Sequence, residues 1–193
     1  MFQILSKVIN GTKGAVSASL KGATDIVSTV IGSVQKIAVN TFKETGDFLK
    51  EGIQIPSAIV KGAIEGVSEI GVSVIKAVRG IVAGTIQGAM QEKAPQSDAV
   101  KGAVSQALYS AKDLGINIAD TAVEAVLGAV NGVTQAGGDV GKATFTAVKT
   151  ALTVAGEIGE EAFKNVKEAL NKSVDGAKDI IKEIDTKVRI NTH

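Results

Sequence analysis

Cysteine is absent from the 193-residue chain, which removes disulfides and thiolate chemistry and leaves its redox compartment unreadable. The one histidine is His193, so no internal imidazole is present for acid–base work or metal ligation. Tryptophan is missing, and Tyr109 with five phenylalanines brings aromatic residues to only 3%. Twenty-one basic and 20 acidic side chains leave a net charge of +1. Without a positive excess or stacking residues, nucleic-acid binding is not expected. The longest uncharged run, Ala125 to Gly138, covers fourteen residues. A membrane-spanning helix needs roughly twenty, so none is expected. The segment Met1 to Lys7 has no secretory pattern. The default expectation is a location in the cytoplasm or peripheral to a membrane.

Apolar residues make up 45% of the chain and charged residues 21%, a balance that excludes disorder from low hydrophobicity. Mean hydropathy is +0.23, high for a chain with no long apolar run. The length suits one domain, residues 1–193, with a sizeable core.

Every eleventh residue from Ile9 reads Ile9, Leu20, Ile31, Phe42, Ile53, Ile64, Ile75 and Ile86. The same phase carries Leu108, Val130, Leu152, Phe163 and Val174 further on, interrupted by Ser97, Ala119 and Gly141. Thirteen of its seventeen positions to Asp185 are large and apolar, against about five by chance. The phase of Asn10, Lys21, Gly32 and Lys43 has no large aliphatic residue, and that of Gly11, Gly22 and Ser33 is small. Eleven residues in three turns is close to the natural pitch of an α-helix. The apolar phases then fill one arc of roughly 130°, with a basic edge whose stems can lie along apolar surface.

This pattern predicts an all-α protein of long amphipathic helices. About four helices are expected, in an antiparallel bundle or assembled with copies of itself. Gly46-Asp47, Ile55-Pro56, Ala94-Pro95 and Gly137-Gly138-Asp139 are the breaks, placing helices near 2–45, 57–94, 98–136 and 140–188. Ser97 or Asp98 is the expected cap of the third. A fainter forty-residue echo (Leu20-Lys21-Gly22-Ala23, Val60-Lys61-Gly62-Ala63, Val100-Lys101-Gly102-Ala103 and a weakened Val140-Gly141-Lys142-Ala143) suggests four similar units. Twenty-two glycines and many β-branched residues disfavour isolated helices, so contacts outside each helix must stabilise them. Gly62 with Gly66, and Gly80 with Gly84 and Gly88, would let helix backbones approach closely.

Charge is uneven along the chain. Residues 1–43 hold Lys7, Lys13, Lys21, Lys36 and Lys43 against the single Asp25. Beneath an apolar stripe, that set suits an anionic membrane surface. The last helix carries Glu160/Lys164, Glu168/Lys172, Glu183/Lys187 and Asp185/Arg189 at the spacing of helical ion pairs. Catalysis is not expected: no base–nucleophile pair, metal-ligand cluster or cofactor motif is present. Gly137 to Ala143 lacks the spacing and preceding strand of a phosphate-binding loop.

At Thr12-Lys13-Gly14-Ala15-Val16-Ser17, echoed at Val100-Lys101-Gly102-Ala103-Val104-Ser105, the chain resembles the eleven-residue repeats of perilipins and synucleins. Its organisation is similar to that of exchangeable apolipoproteins. The resemblance implies a non-enzymatic coat on a lipid surface or hydrophobic inclusion. Its greater isoleucine content and fewer charges favour a helical bundle off the lipid. The alternative expectation is a self-assembling structural protein, a filament or oligomeric bundle, in which the chain's partner is itself.

Overall fold

The computed structural model describes residues 1–45 and 52–190. Among them the chain is helical, with no strand. The helices are α1 (Phe2–Leu20), α2 (Ile26–Glu44), α3 (Gln54–Glu69), α4 (Val74–Gln91), α5 (Gln96–Asp113), α6 (Ile118–Gln135), α7 (Val140–Ile158), α8 (Glu160–Ser173) and α9 (Ala177–Ile190).

Each of the four long helices expected from sequence is divided. The span 2–45 is α1 and α2, 57–94 falls on α3 and α4, 98–136 on α5 and α6, and 140–188 on α7 to α9. The dividing feature is a repeated stop signal. After α3, Gly71 at φ +73° donates its N–H to Ser68 O, and Val72 N–H reaches back to Val67 O. Gly115 and Ile116, and Gly137 and Gly138, repeat the arrangement after α5 and α6. Lys93 and Ala94 repeat it after α4, with a lysine at φ +66° where the others have glycine. This pair of hydrogen bonds satisfies carbonyls that a helix end otherwise leaves bare. Two residues later a new helix is capped: Asn117 Oδ1 accepts from Asp120 N–H and Asp139 Oδ1 from Lys142 N–H. The turns recur every 22 residues, so α4, α5, α6 and α7 start at Val74, Gln96, Ile118 and Val140.

Several finer expectations change accordingly. Pro56 does not bar a helix; it sits in the first turn of α3, where a missing N–H costs nothing. Pro95 rather than Ser97 or Asp98 precedes α5, and Asp98 accepts from Gly52 N–H instead. The forty-residue echo joins unlike places, since Lys21-Gly22 ends α1 whereas Lys61-Gly62 lies inside α3. The break expected at Gly46-Asp47 lies outside the described residues.

Packing alternates along the chain. Helices α1, α3, α5 and α7 contact one another in succession, as do α2, α4, α6 and α8, and α9 lies against α7. The stack therefore has two layers, built from consecutive helix pairs. Stacked helices run in the same direction. A Cβ on Gly66 would lie 2.6 Å from Lys13 O, and one on Gly84 2.7 Å from Ile31 O. On the next pair, Gly128 meets Arg79 O at 2.6 Å in the same sense. Both glycine groups read from sequence thus mark contact seams, where a bare Cα lets two backbones touch.

Alanine, valine and isoleucine fill the core between these close backbones. Helix α4 is the most enclosed, with Gly80 to Ile86 buried without interruption, as a helix packed on several sides must be. Ion pairs and hydroxyls tie the edges: Arg79 grips Glu124 through two bonds of 2.8 and 3.0 Å, and Ser17 donates to Gly66 O. In the last part, Glu168–Lys172 and Glu183–Lys187 form as spaced, each at 2.6 Å. Asp185 accepts from Lys167 of α8 at 2.7 Å, and its expected partner Arg189 lies outside the residues whose side chains are described.

Candidate functional site

The eleven-residue apolar phase divides into two sets when placed on the fold. Leu20, Phe42, Ile64, Ile86, Leu108, Leu152 and Val174 are buried, and Val130 is half-buried in the same series. The intervening Ile9, Ile31, Ile75 and Phe163 are half-buried, and Ile53 is exposed. The buried set recurs every 22 residues, in the second half of each of α1 to α7 and just after α8, and packs against neighbouring helices. These residues are core, not a surface stripe, because each amphipathic face has found a helical partner.

Half of the large apolar side chains that reach solvent lie at one end of the stack. Among the described residues, eight large apolar side chains are exposed, and Met1, Phe2, Ile4 and Val27 belong to α1, α2 or their flanks. Phe2 is 86% exposed. Helices α1 and α2 are covered by α3 and α4 on one side only. On the uncovered side Gly11, Gly14 and Gly32 have no neighbour within 4 Å of a would-be Cβ. Lys7, Lys21, Lys36 and Lys43 are all exposed on this hairpin.

Lys13 does not join that group. Its Nζ lies 2.6 Å from Glu69 of α3. The hydrogen bond to that carboxylate holds the Lys13 pKa above the usual lysine value. Lys43 stands 3.9 Å from Glu92 with its ammonium largely in solvent. The acidic partners on the pair are Asp25, which accepts from Ser28 and caps α2, and Glu44 near its end. Those bonds from Ser28 hold the Asp25 carboxyl below its usual range. A shallow groove of about 360 Å³ runs between the two helices, lined by Ile4, Lys7, Val8 and Gly11 opposite Ile37 and Thr41.

The sequence pattern pointed to Phe2, Ile4 and the lysines but missed the open glycines as a feature of the surface. Gly11 and Gly14 read like the seam glycines of α3 and α4, and only the position of α1 at the end of the stack separates them. Among the described residues no helix is long and apolar enough to cross a membrane, and no cluster of metal-type ligands is present. No protein-family model matches the chain, and neither a curated protein nor a solved structure is similar to it. The fold and this surface define a class: a two-layer stack of helix pairs with one basic, partly apolar end.

Proposed function

We propose that the protein is a non-enzymatic helical scaffold that associates with an anionic lipid surface through its first helix pair. The observation that carries this reading is the exposure of Phe2 and Ile4 on α1 beside Lys7, with Lys21 and Lys36 on the same pair. Apolar tips insert at an interface while ammonium groups meet headgroup phosphates. Contact is made by the end of a folded stack, not by helices unrolled flat. The buried series from Leu20 to Val174 then serves folding, and the eleven-residue pattern is the register that helix-and-turn units of 22 residues require.

Flotation with vesicles of anionic or zwitterionic lipid tests the reading. Wild-type protein should float with anionic vesicles at low salt and less so as salt rises, since each lysine near the surface contributes about 1 kcal/mol. Replacing Lys7, Lys21, Lys36 and Lys43 by Gln should remove most of that binding. Indifference of the wild type to anionic vesicles at low salt would defeat the proposal.

A second reading, self-assembly, is favoured by the open glycines. Gly11, Gly14 and Gly32 offer to solvent the kind of bare backbone that α3 and α4 use to dock on α1 and α2. A stack whose terminal helix pair is uncovered on one side is open to another copy. Sedimentation velocity without lipid distinguishes the two: a concentration-dependent rise in size, abolished by Gly14→Lys, supports assembly, and a monomer at all concentrations opposes it.

A further inference from the structure

Helices α5 and α7 leave between them a groove of about 580 Å³, a volume typical of small-molecule sites. Ser97, Lys101, Ser105 and Tyr109, spaced four residues apart, line it from α5. Lys142, Phe145, Lys149 and Val154 line it from α7. Ile53, exposed just before α3, lies at the end where α5 begins, its carbonyl close against Gly102. From Ser97 to Tyr109 the wall is about 18 Å long at the rise of an α-helix.

The charge in this groove is one-sided. Among the described residues, no carboxylate lies within 4.0 Å of the ammonium of Lys101, Lys142 or Lys149. Glu157 is the one acid lining it, and the Tyr109 hydroxyl donates to that carboxylate at the far end. Asp98 and Asp139 are near but turned to backbone, accepting from Gly52 N–H and Lys142 N–H. Lys142 stands in the first turn of α7, whose peptide dipole adds positive potential. Phe145, the edge of Val154 and the Tyr109 ring supply apolar surface between Thr146, Thr150 and Thr153.

We infer that this groove binds a single-chain amphiphile with an anionic head, the head held among Lys101, Lys142 and Lys149 and the chain laid along Phe145, Val154 and Tyr109. A small anion alone would leave the apolar wall wet, and a neutral amphiphile would make no use of the three lysines that line the groove. The site is separate from the lipid-facing end proposed above and does not depend on it.

Tyr109 makes the test direct, because it is the chain's one tyrosine and tryptophan is absent. Full-length protein is titrated with laurate and with dodecyl phosphate below their micelle concentrations, following Tyr109 emission and heat together. Both should bind saturably with a change in emission. Lys101→Gln/Lys142→Gln/Lys149→Gln should weaken binding at least tenfold while melting as wild type. If that triple variant melts early, Lys149→Gln alone is read, with about a threefold loss expected. Lys7→Gln/Lys21→Gln/Lys36→Gln should bind as wild type, which separates this site from the N-terminal surface. No saturable binding of either probe would overturn the inference. So would equal affinity for dodecyl maltoside or for inorganic phosphate, or full affinity in the lysine variants.

Discussion

Gly84 and Ile31 meet across the contact of α2 with α4 with no room for a side chain: a Cβ on Gly84 would stand 2.7 Å from the Ile31 carbonyl oxygen and 3.0 Å from Gln35 N. Backbone lies on the far side of that contact, so nothing flexible can move aside. Gly84→Ala should therefore cost about 1–3 kcal/mol through overpacking, despite alanine's better helix propensity. Gly32, inside α2 but facing open space, is the control. There Gly32→Ala should stabilise by about 0.5–1 kcal/mol, since only propensity changes. Urea melts of dilute protein read both, and equal signs for the two would refute the seam.

Lys93 is the odd member of the turn series. It holds φ +66° where Gly71, Gly115 and Gly137 stand at the equivalent places. A left-handed backbone costs a residue with a side chain about 1–2 kcal/mol. Lys93→Gly should recover about 1 kcal/mol and raise the melting temperature by a few degrees. The converse, Gly115→Lys, should lose a similar amount, although nothing lies within 4 Å of its added Cβ. An unchanged melt for both would mean that these turns do not govern where the helices stop.

Ile86 and Ile75 belong to one eleven-residue phase, and the fold separates them. Ile86 is fully buried in α4, and Ile75 is half-buried in that helix's first turn. Ile86→Asp should unfold the protein or cost more than about 4 kcal/mol, because it forces an unpaired charge into the core. Ile75→Asp should cost far less, since the carboxylate reaches water and favours the positive end of the helix. Changing Gln87 to Ala should stay within about 0.5 kcal/mol. Circular dichroism melts of the three variants check the order.

These pairs show how much of the fold was legible in the sequence. The helical period was plain because the apolar residues that define it do become core. The signal for short helices lay in Gly71-Val72-Ser73, Gly115-Ile116-Asn117 and Gly137-Gly138-Asp139, where a glycine stop stands two residues before the position that opens the next helix. The apolar pattern hid it, since a helix of 18 residues and a turn of four preserve an eleven-residue register across each reversal. Lys93 broke the glycine series and hid one stop more. The exposure of Lys7, Lys21, Lys36 and Lys43 could be read from composition, whereas the pairing of Lys13 with Glu69 required the packing of α1 on α3. The α5–α7 groove could not be read in this way: Lys101 lies some forty residues before Lys142 and Lys149, and only the parallel stacking of alternate helices joins them.

Tyr109 and Glu157 supply a prediction in pH. The hydroxyl donates to the carboxylate across the groove, and that bond, with partial burial and the negative charge, raises the tyrosine pKa. Tyrosinate absorbance of the native protein should titrate above the ordinary value of about 10. Glu157→Gln keeps an acceptor but removes the charge, so the midpoint should fall toward that value. The sign for stability follows from the folded state holding its proton more tightly than the unfolded chain. The contribution is fully present below the unfolded pKa and is lost as pH rises through the folded one. Wild type should therefore melt higher than Glu157→Gln from neutral pH up to about 10 and converge with it above. Identical titration midpoints in the two proteins would show that the bond does not persist in solution.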